Sequence, residues 1–155
     1  MKLTTFTESA LGTLVYLGRH HHRMVTIDEI FAQHAASRSL LTKVIQQLGI
    51  DGWIIATRGC KGGLRLAHEP HNIALGAVVR DNEPNFHMAE CFHSESNACR
   101  ISSDCLLKGV LGGATEAFLA VLDALTLADL LLDGQPRRGD SATGPALPAR
   151  PAPTG

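Results

Sequence analysis

Hydrophobic residues in the first fifty positions recur at spacings of three and four, in three separate runs that are typical of short amphipathic helices. The runs are Leu11, Leu14, Val15 and Leu17; Ile27, Ile30 and Phe31; and Leu40, Leu41, Val44, Ile45 and Leu48. Residues that favour helix starts precede them: Thr7, Thr26 with Glu29 three positions later, and Ser37. Gly49 is expected to end the third helix. Two short helices joined by a tight turn predict a helix-turn-helix at about 27–50.

A β-hairpin is predicted directly after it. The stretch "WIIATRGCKGGLRLA" has two alternating runs on either side of a glycine-rich tip, so we expect strands within about 53–67. A hairpin after a helix-turn-helix forms a winged helix, here 1–68. The fold class is therefore predicted as mainly α with a small β-hairpin wing. Arg58, Lys61 and Arg65 lie at or beside the tip, where they could contact phosphates or a minor groove.

The second half of the chain contains a long apolar helix pattern. Leucine, valine, alanine and phenylalanine recur at helical spacing, which predicts a dimerisation helix at 106–133 because so small a domain cannot bury it alone. The segment 69–105 would connect this helix to the winged helix. The residues 134–155 are rich in glycine, proline and alanine, and we expect a disordered tail there.

Charge is distributed unevenly although the formal net charge is only −1. Residues 37–65 contain five basic side chains and one acidic one, whereas residues 66–133 contain three basic and ten acidic. The first of these segments suits a polyanion such as DNA, and the second does not.

No signal peptide or membrane-spanning run is apparent in the sequence, so we expect a cytoplasmic protein whose thiols stay reduced. Three cysteines nevertheless stand in the polar stretch "AECFHSESNACRISSDC", at Cys91, Cys99 and Cys105. Cys60 lies apart from them, at the predicted wing tip.

Several kinds of chemistry could use these thiols. Buried structural cysteines fit poorly in so polar a segment, and a zinc site completed by His93 would lack the usual short paired spacing. A catalytic thiol beside His93 would explain one cysteine and leave two unexplained. An iron–sulfur cluster takes thiolate ligands at looser spacings, and three local thiolates would leave one iron open to a further ligand or to nitric oxide.

The motifs "SRSLLTKVIQQLGIDGWI", "TRGCKGGLRLA", "ECF", "NACRI", "CLLKGVL" and "AFLAVLDALTLADLL" together make the sequence similar to a known family. It resembles the iron–sulfur winged-helix regulators, which include IscR, and within them the NsrR-type nitric-oxide-sensitive repressors, over roughly residues 1–132. The resemblance implies a homodimer that binds double-stranded operator DNA while its cluster is intact. Nitric oxide would then be the signal that releases the DNA.

The resemblance also assigns roles to residues. Cys91, Cys99 and Cys105 match the cluster cysteines, and the cluster could hold two irons or four. Glu8 stands where relatives carry an acidic residue, usually aspartate, proposed to bind iron from the partner subunit. Gly12 stands where relatives tend to have arginine.

DNA contacts are expected on the third helix. The exposed face of that helix is predicted to hold Ser37, Arg38, Ser39 and Lys43. Arg38 is the expected reader of guanine, and Lys43 the expected phosphate contact. The rival readings are a cluster-assembly regulator like IscR, another redox-responsive regulator of the family, and a thiol- or zinc-dependent enzyme. An IscR-like protein would favour a histidine soon after Cys105, and none follows.

Overall fold

The computed structural model describes residues 2–34, 36–59, 62–86 and 106–132. Within these ranges it contains six α-helices, one antiparallel hairpin and one short 3-10 turn. In chain order they are α1 (Thr5–Arg19), α2 (Ile27–Gln33), α3 (Arg38–Ile50), β1 (Ile54–Thr57), β2 (Gly63–Leu66), the 3-10 turn (Pro70–Asn72), α4 (Leu75–Asn82), α5 (Leu106–Asp123) and α6 (Leu127–Leu131). The predicted class, mainly helical with a β-hairpin wing, is confirmed.

Two of the three predicted helix starts are confirmed. Thr26 and Glu29 form a reciprocal capping box at α2, and the Ser37 hydroxyl accepts from the N–H of Leu40 at the start of α3. The prediction for α1 was wrong, because Thr4 is its N-cap and Thr7 lies inside its first turn, fully buried. Thr7 is buried in the first turn, and Thr4 caps the helix by accepting from the N–H of Thr7.

The predicted range to about residue 50 matches the end of α3, but Gly49 does not end the helix as expected. Gly49 is helical, and the helix continues to Ile50 with Asp51 as its C-cap. Gly52, the next residue, has a φ of 80°, a conformation that glycine adopts without strain. The chain therefore turns three residues later than expected before entering the wing.

The wing is a two-stranded antiparallel sheet, as predicted. Ile54 pairs with Leu66 and Thr57 with Gly63, so the strands are in simple hairpin register. Gly62 is needed at the tip, since an added Cβ would overlap the carbonyl oxygen of Thr57. On its other edge β2 meets Val25, which exchanges two backbone hydrogen bonds with Leu64 and joins the wing to the chain before α2.

One hydrophobic core joins the winged helix to the elements that follow it. The fully buried members of α1 and α3 belong to the same cluster as residues from the second half of the chain. Those later members are Ile73, Leu75, Val78 and Leu127. Sequence patterning missed α4, because its apolar run is short and its burial depends on α1 and α5. The core therefore couples the helix-turn-helix to α4 and α6.

The helix α5 has two apolar faces. Phe118 and Leu122 near its C-terminal end are partly buried, as is Leu125 two residues after the helix, and Leu122 and Leu125 pack against the core. A second line of apolar side chains faces solvent at alternating three- and four-residue spacings. We call this line the α5 seam; its members are Leu107, Val110, Ala114, Ala117 and Val121. Such spacing is the pattern by which one helix packs along another. No helix in the part of the chain described here is long and apolar enough to span a bilayer.

Candidate functional site

The first two turns of α3 present a polar, basic face to solvent. Leu41, Val44, Ile45 and Leu48 point into the core, and the polar positions between them remain outside. Ser37, Arg38, Ser39 and Lys43 are all exposed, as the sequence predicted. An exposed helix start with two cations can approach a phosphate backbone, and its free backbone N–H groups add to the attraction. The geometry is compatible with insertion of α3 into a major groove.

Arg38 is held in place by α2. Its guanidinium stands over the Phe31 ring, 5.0 Å from the ring centroid, and one of its terminal nitrogens (Nη2) lies 2.6 Å from the Asp28 carboxylate. Both charged side chains remain largely exposed, at 62% and 73%. The contacts therefore fix the direction of the guanidinium without burying it. Sequence analysis missed the roles of Asp28 and Phe31, because only the packing of α2 on α3 shows them.

The wing supplies further exposed cations. Arg58 follows β1, and Arg65 lies opposite Ile55 on the exposed face of the hairpin. The base of the wing is fixed by Trp53, whose indole N–H donates to Asp81 of α4 at 3.0 Å. Lys61 and Cys60 lie outside the described residues.

Glu8 lies on the exposed side of the first turn of α1. It lines an open cleft of about 240 Å³ together with Thr5, Ser9, His34 and Ala36. The imidazole of His34 fills the space beside Gly12, where an added Cβ would overlap the ring. Glu8 can therefore reach an outside partner, and His34 takes the place that a longer side chain at position 12 would need.

The three cysteines of the predicted cluster, Cys91, Cys99 and Cys105, lie outside the described residues. Within the described ranges, no three histidine, cysteine or acidic side chains come together to hold a metal. Glu8 is an exposed carboxylate and could supply an oxygen ligand to a metal held by those cysteines. Three thiolates suit an iron–sulfur cluster, and an oxygen ligand could bind the iron that they leave open.

Two ion pairs stabilise the frame around these surfaces. Arg80 of α4 makes a bidentate contact with Asp123 of α5, at 2.5 and 2.6 Å, and its hydrogen bonds lower the pKa of Asp123. Arg23 contacts Glu29 in the capping box of α2. The hydrogen bond from Arg23, with those from Thr26, lowers the pKa of Glu29 to about 2. The Arg80 pair joins α4 to α5, and the Arg23 pair joins the segment before α2 to the first turn of α2.

Comparison with known proteins gives consistent results. A model of the Rrf2 family, described as an iron-dependent transcriptional regulator, matches residues 3–133. The chain is 45% identical over 134 residues to the HTH-type transcriptional regulator NsrR of Geobacillus kaustophilus, covering 86% of this chain and 91% of that protein. It is 42% identical over 132 residues to NsrR of Bacillus subtilis, covering 84% and 90%. Among solved structures, T. potens IscR superposes with a TM-score of 0.68 at 25% identity, covering 84% of this chain and 86% of that one.

Proposed function

Because the chain belongs to the Rrf2 family of transcriptional regulators, we propose that it is a nitric-oxide-sensing repressor, which binds operator DNA through its winged helix and releases it when its iron–sulfur cluster is nitrosylated. Membership of this family confirms the resemblance found in the sequence. Its relatives are regulators of transcription and not enzymes, which removes the thiol- or zinc-dependent enzyme from consideration. We place its action in the cytoplasm, where its DNA would be.

The observation that carries the DNA-binding part is the exposed start of α3. Arg38 and Lys43 project from a helix whose opposite face is fully buried, so the helix can meet DNA without disturbing the core. Arg38 is suited to bidentate recognition of guanine, and Lys43 to a phosphate. We propose that Ser37 and Ser39 contact the backbone beside them. The wing residues Arg58, Lys61 and Arg65 would add contacts at the neighbouring groove.

We propose Cys91, Cys99 and Cys105 as the protein's cluster ligands, with Glu8 of the partner subunit as the fourth. Its iron atoms, two or four in number, would supply the site at which nitric oxide binds. The exposure of Glu8 at the first turn of α1 supports this role, since a carboxylate turned into its own domain could not reach a partner. His34, whose ring lies beside Gly12, lines the same open cleft as Glu8.

A homodimer is proposed from the α5 seam. Leu107, Val110 and Val121 expose 60%, 67% and 62% of their surface, and Leu106 exposes 87%. Apolar side chains in so continuous a line are typical of an interface. A second copy of the chain supplies a matching seam, and paired winged helices would recognise a palindromic operator.

The alternative function within the family is that of a cluster-assembly regulator. The structural likeness to IscR favours this alternative. The sequence identity to NsrR proteins is considerably higher, at 40–45%. The absence of any histidine after Cys105 in the sequence also favours the nitric oxide sensor.

The test is anaerobic purification followed by titration with nitric oxide. We would first select a duplex with the purified protein from a random-sequence library, and then follow its binding while recording the visible spectrum. A coloured protein should lose affinity as its spectrum changes, by the ~5–150-fold that is usual for coupled sites. Cys99→Ser should abolish both the colour and the response, whereas Cys60→Ser, the matched control, should keep them. A colourless, iron-free protein that binds the selected duplex equally tightly would contradict the proposal.

A further inference from the structure

A carboxylate at the C-terminal end of α4 accepts hydrogen bonds from the start of α1. Glu83, the C-cap of α4, directs Oε2 at the first turn of α1, where it accepts three hydrogen bonds. The backbone N–H and the hydroxyl of Thr4 donate at 3.2 and 3.1 Å, and the hydroxyl of Thr7 donates at 2.5 Å. The Thr4 hydroxyl in turn accepts from the N–H of Thr7 at 3.2 Å. We call this arrangement the Glu83 clamp.

The Glu83 clamp joins parts of the chain that are distant in sequence. Thr7 and Glu83 are 76 positions apart, and Thr7 is fully buried. A buried hydroxyl needs a partner, and Glu83 is one that Thr7 donates to. A negative charge is also favoured at the N-terminal end of a helix. The position of the end of α4 is therefore fixed against the first turn of α1.

The position of Glu83 in the sequence gives the clamp its significance. Cys91 follows eight residues later. Even fully extended, eight residues span at most ~29 Å, so the clamp limits where the first cysteine can lie relative to α1. The clamped turn also carries Glu8, the residue after Thr7. The clamp thus links the segment that carries the cysteines of one proposed cluster to the turn that carries the Glu8 ligand of the partner's cluster.

The clamped helix also supports the proposed DNA-reading helix. Ala10, Leu14 and Leu17 of α1 are fully or almost fully buried, in the same core cluster as Leu41 and Val44 of α3. Close packing leaves little freedom for α1 to move without moving α3. A change in the segment after Glu83 can therefore reach α3 through α1.

We propose that Glu83 is a positioning residue that couples the cysteine-bearing segment to α1 and α3, so that the clamp transmits the state of the cluster to the DNA-binding surface. The inference rests on the proposed function. It assigns Glu83 no contact with iron or with DNA. Glu83 acts through Thr4 and Thr7.

The test compares the coupling, and not the affinity alone, in four variants of the full-length protein. Glu83→Ala removes the carboxylate, and Thr7→Val removes one donor while keeping the shape of the side chain. Thr7→Ser keeps the hydroxyl and is the matched control. Glu69→Ala removes an exposed carboxylate elsewhere, one that makes no side-chain capping bond.

For each protein, the affinity for the duplex selected by the native protein is measured with the cluster loaded and after its removal. The native ratio of the two affinities should lie in the ~5–150-fold range of coupled sites. In Glu83→Ala and Thr7→Val the ratio should fall to about 1–3, a loss of most of that coupling. The iron content per chain and the visible spectrum should stay near native. Thr7→Ser and Glu69→Ala should keep the native ratio.

A purely structural role gives a different result. If Glu83 only caps α1, its loss lowers the unfolding midpoint and weakens both affinities alike, and an unchanged ratio overturns the proposal. If Glu83→Ala fails to fold, the test becomes a comparison of the affinity ratio of the near-isosteric Thr7→Val with that of Thr7→Ser. A native ratio of one would overturn the proposed function itself, and is seen before any variant is made.

Discussion

At the scale of single residues, the sequence identified Arg38 as the candidate reader but could not show what orients it. Its position one residue after a helix cap predicted exposure, and the structure confirms this. Asp28 and Phe31 became visible only once α2 was packed beside α3. An exposed pair such as Asp28 and Arg38 contributes only about 0–1 kcal/mol to stability. Its value therefore lies in directing the guanidinium.

Replacing Arg38 should lower specificity more than general affinity. In Arg38→Ala, binding to the selected duplex should weaken by ~5–150-fold, the equivalent of one bidentate base contact, with a much smaller loss on a scrambled duplex. Asp28→Asn should also narrow the difference in affinity between the two duplexes. Its affinity for the scrambled duplex should rise, because a negative charge is removed beside the DNA. Fluorescence anisotropy with both duplexes over a range of salt concentrations measures this.

Lys43→Ala serves as the control for that experiment. If Lys43 contacts a phosphate, its removal should weaken binding to both duplexes alike. It should also lower the slope of log affinity against log salt concentration by about one. Equal losses on the two duplexes for Arg38→Ala would contradict its assignment as a base reader.

At the scale of elements, local signals predicted the starts of α2 and α3, and contacts between distant parts of the chain explain the misplaced start of α1 and the missed helix α4. The capping box of Thr26 and Glu29 lies within four residues, so the sequence contained all of it. The start of α1 was misplaced by three residues, because Thr7 turns inward and donates to Glu83. The short helix α4 was missed for a related reason, since Leu75 and Val78 are buried by elements far away in the chain.

The capping box of α2 should make stability depend on acidity. Glu29 has its pKa lowered from 4.5 to about 2 by the hydrogen bond from Arg23 and by those from Thr26. Because the folded state favours the charged carboxylate, the stabilisation is complete above pH 4.5 and disappears as the pH falls towards 2. In denaturant titrations of the iron-free protein, Glu29→Gln should therefore flatten the fall in unfolding free energy across this interval.

Arg23→Gln tests the stated cause. Without the guanidinium, the pKa of Glu29 should return towards its ordinary value, and the fall in unfolding free energy below pH 4.5 should be smaller, because the folded and unfolded pKa values then lie closer together. A pH profile for Glu29→Gln that parallels the native one would contradict this account.

At the scale of the whole molecule, the described part of the chain is one packed unit with an uncovered helix face. The sequence predicted one long apolar helix at 106–133, and the structure divides this range into α5, which ends at Asp123, and the separate short helix α6. The structure adds that α5 has one apolar residue, Leu122, packed against the core and a separate exposed seam, a division that spacing alone did not reveal. The seam is what a second copy would cover.

A charge in the α5 seam should separate the dimer. Leu107→Glu should weaken self-association at least ~100-fold, because ~1.4 kcal/mol is a tenfold change and an unpaired charge in an apolar interface costs more than twice that. Analytical ultracentrifugation over a range of concentrations measures this, and binding to the selected duplex should weaken in parallel. Glu116→Gln, an exposed and already polar position on the same helix, should leave both unchanged. A native protein that is monomeric at all concentrations would contradict the proposed dimer.

The contact between Gly12 and His34 has a consequence for anyone redesigning this surface. The imidazole occupies the volume that a side chain at position 12 would enter, so the two sites are not independent. An arginine grafted at 12 must displace the ring before it can approach Glu8. Such a graft is therefore best made as a double exchange, with a smaller residue at 34, and its effect should not be read from the single exchange.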